Sequence, residues 1–261
     1  MSGFATKLYP VFVCVGIVAF GYVNIAVNKP AYQYYPWRTG DDRYDANNAV
    51  DGRKSDLSWH GGECAVSSYG NQTAAWWINL TNIQSIHHIT IYFLTDNDQW
   101  GSSNYLTKFV LGFSVYVSNT TDRLQGRLCY KDDNFTRETI PAVFTTICPV
   151  HGQYVIYYIE RLPGVTHPDV YSEYAASLLC EVEVYGCPAT GYFGSNCSIS
   201  CPDVNCQYCH IETGTCQGCK HGYQGHRCKL GKLHICKSVI LMKTNILKLY
   251  VTISCTPQPY K

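Results

Sequence analysis

The chain has 261 residues, of which 15% are charged and 14% aromatic, and a formal net charge of +1. This is too apolar for a disordered chain, too poor in charge for a long helical rod, and too near neutral for a nucleic-acid binder. Fifteen cysteines would be a liability in a reducing cytosol, so they argue for an oxidising compartment and a disulfide framework, and against a cytosolic enzyme of ordinary composition.

Residues 1–21 read as a signal peptide. Lys7 supplies the positive start, Leu8 to Val18 the apolar run, and Ala19-Phe20-Gly21 the cleavage region. The alternative is an uncleaved anchor, but the run is short of the roughly 20 apolar residues that a span needs. Cleavage removes Lys7 and Cys14, leaving no net charge and 14 cysteines, an even number as full pairing requires. Five N-x-S/T sequons follow, at Asn71, Asn79, Asn119, Asn134 and Asn196. They support secretion of a glycoprotein with some of these positions at the surface.

Residues 22–186 read as β-structure. Ile89, Ile91 and Phe93 alternate with Thr90 and Tyr92, and Phe113, Val115 and Val117 with Ser114 and Tyr116. Tyr154 to Tyr158 is β-branched and aromatic, and Val182 and Val184 alternate with Glu181 and Glu183. Turn residues separate these runs: Asp51-Gly52, His60-Gly61-Gly62, Asp96-Asn97-Asp98 and Gly101-Ser102-Ser103. No stretch carries a helical period. The pattern predicts an all-β antiparallel sandwich.

Composition shifts at Tyr185-Gly186-Cys187. Residues 187–228 carry eight cysteines, leaving little room for an apolar core, so disulfides must do its work. Gly191-Tyr192-Phe193-Gly194 and Gly222-Tyr223-Gln224-Gly225 each precede a cysteine by two residues, a short internal repeat. Residues 229–261 form a tail of uncertain structure. Lys237, Lys243 and Lys248 interrupt its apolar runs, which argues against a membrane span. A membrane-surface segment is the lesser alternative. Cys236 and Cys255 are available to pair within the tail.

Four blocks in order resemble the F-type lectin family (fucolectin or tachylectin-4-like). They are Asn24-Ile25-Ala26-Val27-Asn28-Lys29-Pro30-Ala31-Tyr32-Gln33, Ala46-Asn47-Asn48-Ala49-Val50-Asp51-Gly52, His60-Gly61-Gly62-Glu63-Cys64 and Trp76-Trp77-Ile78-Asn79-Leu80. The resemblance covers residues 23 to about 187 and implies a jelly-roll β-sandwich of the galactose-binding-like kind. The cysteine-rich part is similar to EGF-like modules of the laminin type found in multiple-EGF proteins.

The lectin resemblance implies a calcium (Ca2+) site with side chains from Asn48, Asp51 and Glu181 and main-chain oxygens from Arg53, Cys180 and a residue beside Cys64. Glu63 falls at that last place, where the family often has Ser. Hard oxygens of this kind suit calcium, which takes about 6–8 of them. The alternative is that Asn48 and Asp51 only cap a turn. The resemblances also imply the pairings Cys64–Cys180, Cys129–Cys148, Cys187–Cys197, Cys201–Cys209, Cys206–Cys216 and Cys219–Cys228. Spacing alone leaves about a hundred connectivities for the last eight cysteines.

In the family one His and two Arg hold a fucose. Here Val66 occupies the His position, and no Arg lies between Arg53 and Arg123. The expected Arg loop reads Leu94-Thr95-Asp96-Asn97-Asp98-Gln99-Trp100-Gly101 and lacks the family's adjacent Cys pair. Asp96 and Asp98 remain able to bond hydroxyls, and Trp100 to stack on a sugar face. His60 is expected to pack in its turn. His87-His88 looks like a metal pair, but neighbours on a strand point to opposite faces. Tyr34, Tyr35 and Trp37 read as core packing or as the rim of a pocket.

No nucleophile motif, phosphate-cradling loop or zinc signature is present. The Cys-x2-Cys pairs 206/209 and 216/219 mimic a zinc ribbon, but the secretory context favours disulfides. The sequence therefore predicts no enzyme but a secreted, calcium-dependent carbohydrate-binding protein with a degenerate fucose site. Its partners would be cell-surface glycans or glycoproteins, and oligomerisation is left open. The alternative is a protein–protein interaction or receptor-fragment module that binds no sugar.

Overall fold

The computed structural model describes residues 21–225, 227–231, 234–241 and 250–257. Residues 1–20 of the expected signal peptide lie outside them. In chain order the strands are β1 (Val23–Asn24), β2 (Ala31–Gln33), β3 (Ala65–Val66), β4 (Thr73–Phe93), β5 (Ser114–Ser118), β6 (Arg127–Lys131), β7 (Val143–Glu160) and β8 (Leu178–Cys187). Then follow β9 (Tyr192–Phe193), β10 (Ile199–Ser200), β11 (Cys206–Cys209), β12 (Cys216–Cys219), β13 (Tyr223–Gln224), β14 (Leu230–Gly231), β15 (His234–Leu241) and β16 (Tyr250–Pro257). Helix among the described residues is confined to one turn, α1 (Thr107–Val110), and three short 3-10 segments.

The protein is all-β, with an antiparallel jelly-roll sandwich as its head. Strands β4 and β7 run through both layers. Their pairing is interrupted between Asn79 and Gln84, where Thr81 adopts φ 73°. Before the break β4 pairs with β2 and the end of β7, which continues to β5 and β6. After it β4 pairs with β8 and the start of β7, and β8 carries β1 and β3.

Alternation places every second side chain inward. Trp76, Ile78 and Leu80 are buried from one layer and Ile89, Ile91, Val182 and Val184 from the other, in one cluster. Phe93 and Phe113 both pack on Tyr157, which ties the layers together. Each such large side chain stabilises the fold by about 1.5–3 kcal/mol. Trp76 also donates its indole N–H to the Ala46 carbonyl at 2.9 Å, so the segment carrying Asn48 and Asp51 is pinned to the core.

The cysteine-rich segment is three small hairpins, β9/β10, β11/β12 and β13/β14, with little core of its own. Among the described residues six disulfides are formed: Cys64–Cys180, Cys129–Cys148, Cys187–Cys197, Cys201–Cys209, Cys206–Cys216 and Cys219–Cys228. Gly186 marks the passage from head to stem. A Cβ there would sit 2.1 Å from the Ser85 carbonyl oxygen, so only glycine lets β8 lie this close to β4. The stem leans on the head through His151 against Tyr208 and His87 against Glu212.

Two sequence expectations change. The tail contains a hairpin, β15/β16, in which Cys236 and Cys255 are register partners, because its runs are β-branched as well as apolar. His87 and His88 do not diverge: their ring nitrogens are 2.9 Å apart. A register shift between Ile86 and His88 cancels the strand alternation there. Among the described residues no helix is long and apolar enough to cross a membrane.

Candidate functional site

The residues expected to hold calcium converge at one end of the sandwich. Asp51 closes the 3-10 segment Ala46–Val50, and its carboxylate accepts the Arg53 amide at 2.8 Å. The Asn48 amide donates to the Asp42 carbonyl at 2.8 Å and stands 3.5 Å from the Cys64 carbonyl oxygen. Cys180 and Glu181 come from β8 on the opposite side, and the Cys64–Cys180 bridge spans 116 residues to join the two walls.

Glu181 is fully buried. Its Oε2 accepts the Gly52 amide at 3.2 Å, while Oε1 has no hydrogen-bond partner among the described residues. Burial first, then the charges of Asp51 and Glu183, pushes its carboxyl up to about 7. A buried carboxylate with a free oxygen is costly unless a cation or proton meets it. Lys54 does not meet it, being ion-paired with Glu183 and lying over the Tyr92 ring. The donor set of Glu181, Asp51 and nearby amide and carbonyl oxygens fits a hard cation.

Glu63 has a different side-chain task. It is buried and accepts the amides of Ser55 and Asp56 at 2.8 and 2.9 Å, together with Arg53 at 3.0 Å. The Asp56 amide foremost holds its carboxyl below the ordinary range. Its carboxylate therefore shapes the loop of residues 53–56.

The expected sugar ligands are only partly free. Asp96 accepts the Trp59 amide at 2.8 Å, and its own amide donates to Leu57 at 2.8 Å. Asn97 bonds both Leu57 and Asp56. These contacts zip the loop 95–98 to the loop 56–59, so Asp96 is a structural tie. Trp100 stacks on Phe93 and donates its indole N–H to the Ile140 carbonyl at 2.9 Å, so it packs against the core rather than offering a face to a sugar. Asp98 alone of the three is exposed. Val66, at the family's His position, is buried and paired with Leu178. His60 faces Tyr44 Oη at 2.9 Å.

Beside these loops lies a cavity of about 270 Å³ that the sequence reading did not anticipate. Trp59, Tyr69, Tyr105 and Phe109 form its aromatic walls, with Leu106 and Leu178 beneath. Trp37 supports it, packing edge-on to Trp59 and stacking on Tyr69. Burial first, then the charges of Asp96 and Asp98, raises the Tyr105 phenol. These aromatics come from separate loops, and no spacing links them. The one sequence signal was the aromatic Trp59 within a glycine-rich turn. Tyr34 instead packs on Trp77, on the outer face of the sheet.

Asn119, Asn134 and Asn196 are exposed, whereas Asn71 and Asn79 are half-buried. Among the described residues the cysteine group Cys206, Cys216 and Cys228 has metal-like proximity, but each of its sulfurs is in a disulfide.

No family model and no curated protein matches the chain. Several solved structures are similar. The lectin domain of lectinolysin, complexed with Lewis B antigen, is 18% identical, covering 62% of this chain and 96% of that one at a TM-score of 0.46. A fucolectin from serum of striped bass (Morone saxatilis) is 22% identical, covering 64% and 50% at 0.48. Chitosan-binding module 2 from a Paenibacillus sp. IK-5 chitosanase/glucanase, complexed with chitotriose, is 21% identical, covering 62% and 100% at 0.43. The structural neighbours are carbohydrate-binding modules.

Proposed function

We propose that this chain is an extracellular, non-enzymatic lectin-like protein whose head binds glycans of cell-surface glycoproteins and whose cysteine-stapled part is an EGF-like stem. The observation that carries the reading is the aromatic cavity of Trp59, Tyr69 and Tyr105, whose Trp59 is tied to the loop 95–98 that carries exposed Asp98. Ring faces stack on the C–H faces of a sugar, and a carboxylate at the rim accepts its hydroxyls. The fucose donors are lost, since Val66 is buried in the core and the loop 94–101 carries no Arg. Specificity therefore moves to a sugar with an apolar face or substituent.

Calcium stabilises this head in our reading. Glu181, Asp51 and Asn48 would hold it, with carbonyl oxygens of Arg53, Glu63 and Cys180. Its charge would keep Glu181 ionised and tie the loop of residues 48–53 to β8. This orders the neighbouring loop 56–59, on which Trp59 stands.

The second reading, a protein-binding head, draws on the same cavity: its lining is almost wholly apolar, which also suits a partner's side chain. A glycan array probed in calcium and in chelator separates the two. Signal that is lost on chelation supports the lectin. Silence across the array, with a protein captured on the same face and released by Trp59→Ala, supports the second reading.

A further inference from the structure

The outer face of the layer β2–β4–β7–β5–β6 carries a transverse apolar row. Register pairs Tyr32 with Trp77, Trp77 with Ile156, Ile156 with Tyr116, and Tyr116 with Leu128. Tyr32 stacks on Trp77 at 5.7 Å and remains 48% exposed. The middle of the row is already covered, since Ile156 is buried and Arg123 lies over the Tyr116 ring, but the Tyr32–Trp77 end keeps exposed apolar area that asks for a cover.

Asn79 of the sequon Asn79-Leu80-Thr81 lies on this same face. Trp76, Ile78 and Leu80 point into the core, so Trp77 and Asn79 share the outer side, about 7 Å apart along the strand. Tyr154 is the cross-strand partner of Asn79, and Tyr32 is its diagonal neighbour. The Asn79 Oδ1 accepts the Thr81 amide at 2.8 Å and Gln153 at 3.0 Å, while its Nδ2 has no acceptor among the described residues. Thr81 and the residue after it stand exposed, where β4 leaves its register. Asn71, by contrast, spends its Nδ2 on Ser68.

We propose that an N-linked glycan on Asn79 folds back on this row, its innermost sugars stacking on Trp77 and Tyr32. This rests on the extracellular reading only in that the chain must meet the glycosylation machinery. Attachment joins Asn79 Nδ2 to the anomeric carbon of a lipid-pyrophosphate-linked oligosaccharide. The bond from that carbon to the pyrophosphate oxygen breaks, the lipid pyrophosphate leaves, and one amide proton passes to a base of the transferase. The reaction acts on the nascent chain, so half-burial of Asn79 in the folded head is no obstacle. Folding then delivers the sugar to the aromatic row at high effective concentration. The glycan serves as the cover of the Tyr32–Trp77 end and as a brace across β2 and β4.

The test is expression of the full chain behind a heterologous leader in a glycosylating cell, with site occupancy read by mass spectrometry. The leader makes the result independent of the native signal. The expected result is occupancy at Asn79 and upfield-shifted N-acetyl methyl resonances from ring currents, which vanish in Trp77→Ala and weaken in the exposed-site variant Tyr32→Ser. Asn79→Gln is expected to lower Tm by about 2–4 °C, and to have no further effect in the Tyr32→Ser, Trp77→Ala background. An unoccupied Asn79 beside occupied Asn119 or Asn134 overturns the proposal. So does a glycan with unshifted methyl resonances, or self-association through this face in its place.

Discussion

Gly52 donates its amide to Glu181 across 129 residues of sequence, and the other oxygen of that carboxylate is left buried without a partner among the described residues. The relationship joins the two walls of the loop end and leaves Glu181 a buried carboxyl with one oxygen unmet. In the proposed reading it also sets how the head responds to acid and to calcium.

The Glu181 carboxyl is raised from its ordinary 4.5 to about 7. The folded state therefore binds a proton there more tightly than the unfolded chain does. Without metal, this group's contribution is fully present below about pH 4.5 and is lost as pH rises through about 7, a change on the order of a few kcal/mol. Urea unfolding in chelator, compared between wild type and Glu181→Gln from pH 4.5 to 8, should show wild type losing ground to the variant with rising pH. Added calcium should reverse that loss, and its affinity should fall as pH drops below 7.

Replacing Cys64 and Cys180 together by alanine opens a loop of 116 residues. The chain-entropy account puts the cost at about 4–5 kcal/mol. Denaturant unfolding in calcium should show this loss, with calcium affinity reduced because the two walls are no longer joined.

Trp59 and Trp100 should separate binding from folding. Trp59→Ala should weaken glycan binding by about tenfold or more with little loss of stability. Trp100→Ala should lower Tm through loss of its Phe93 stacking and its bond to Ile140, with binding per folded molecule retained. Titration of one glycan hit against both variants, with Tm measured alongside, checks this.

The contact between head and stem should loosen in acid. Burial lowers the proton affinity of His151, which packs on Tyr208, and of His88, which stacks on Tyr185. Protonation is resisted in the folded state, so their contribution is complete above about pH 6.5 and is lost as pH falls below it. Among the described residues, His87 is also paired with Glu212 at the junction, and His210 lies near His151. Hydrogen exchange at pH 5 against pH 7.5 should show faster exchange in β11 and β12 at the lower pH, while β4 and β8 stay protected.

The fold was legible because a half-buried strand writes itself as alternation: Ile89, Ile91 and Phe93 read as inward and are buried. The continuity of β4 over 21 residues was not legible, since a strand that serves two layers breaks register without a marker in composition. The same holds for His87 and His88, whose meeting depends on a bulge set by the pairing partner. Asp96 and Trp100 carry the right chemistry for a sugar, but long-range contacts to Trp59 and Ile140 claim them. The cavity of Trp59, Tyr69 and Tyr105 was invisible because it is assembled from three loops that only tertiary packing brings together.

In the proposed reading the free oxygen of Glu181 marks a divalent-ion site that organises the loop end of the head. Titration calorimetry with calcium on wild type and Glu181→Gln tests it most directly. One saturable site per wild-type chain is expected, with proton release near neutral pH, and no site in the variant. Equal binding by both proteins, or no calcium binding by a folded wild-type head, would contradict it.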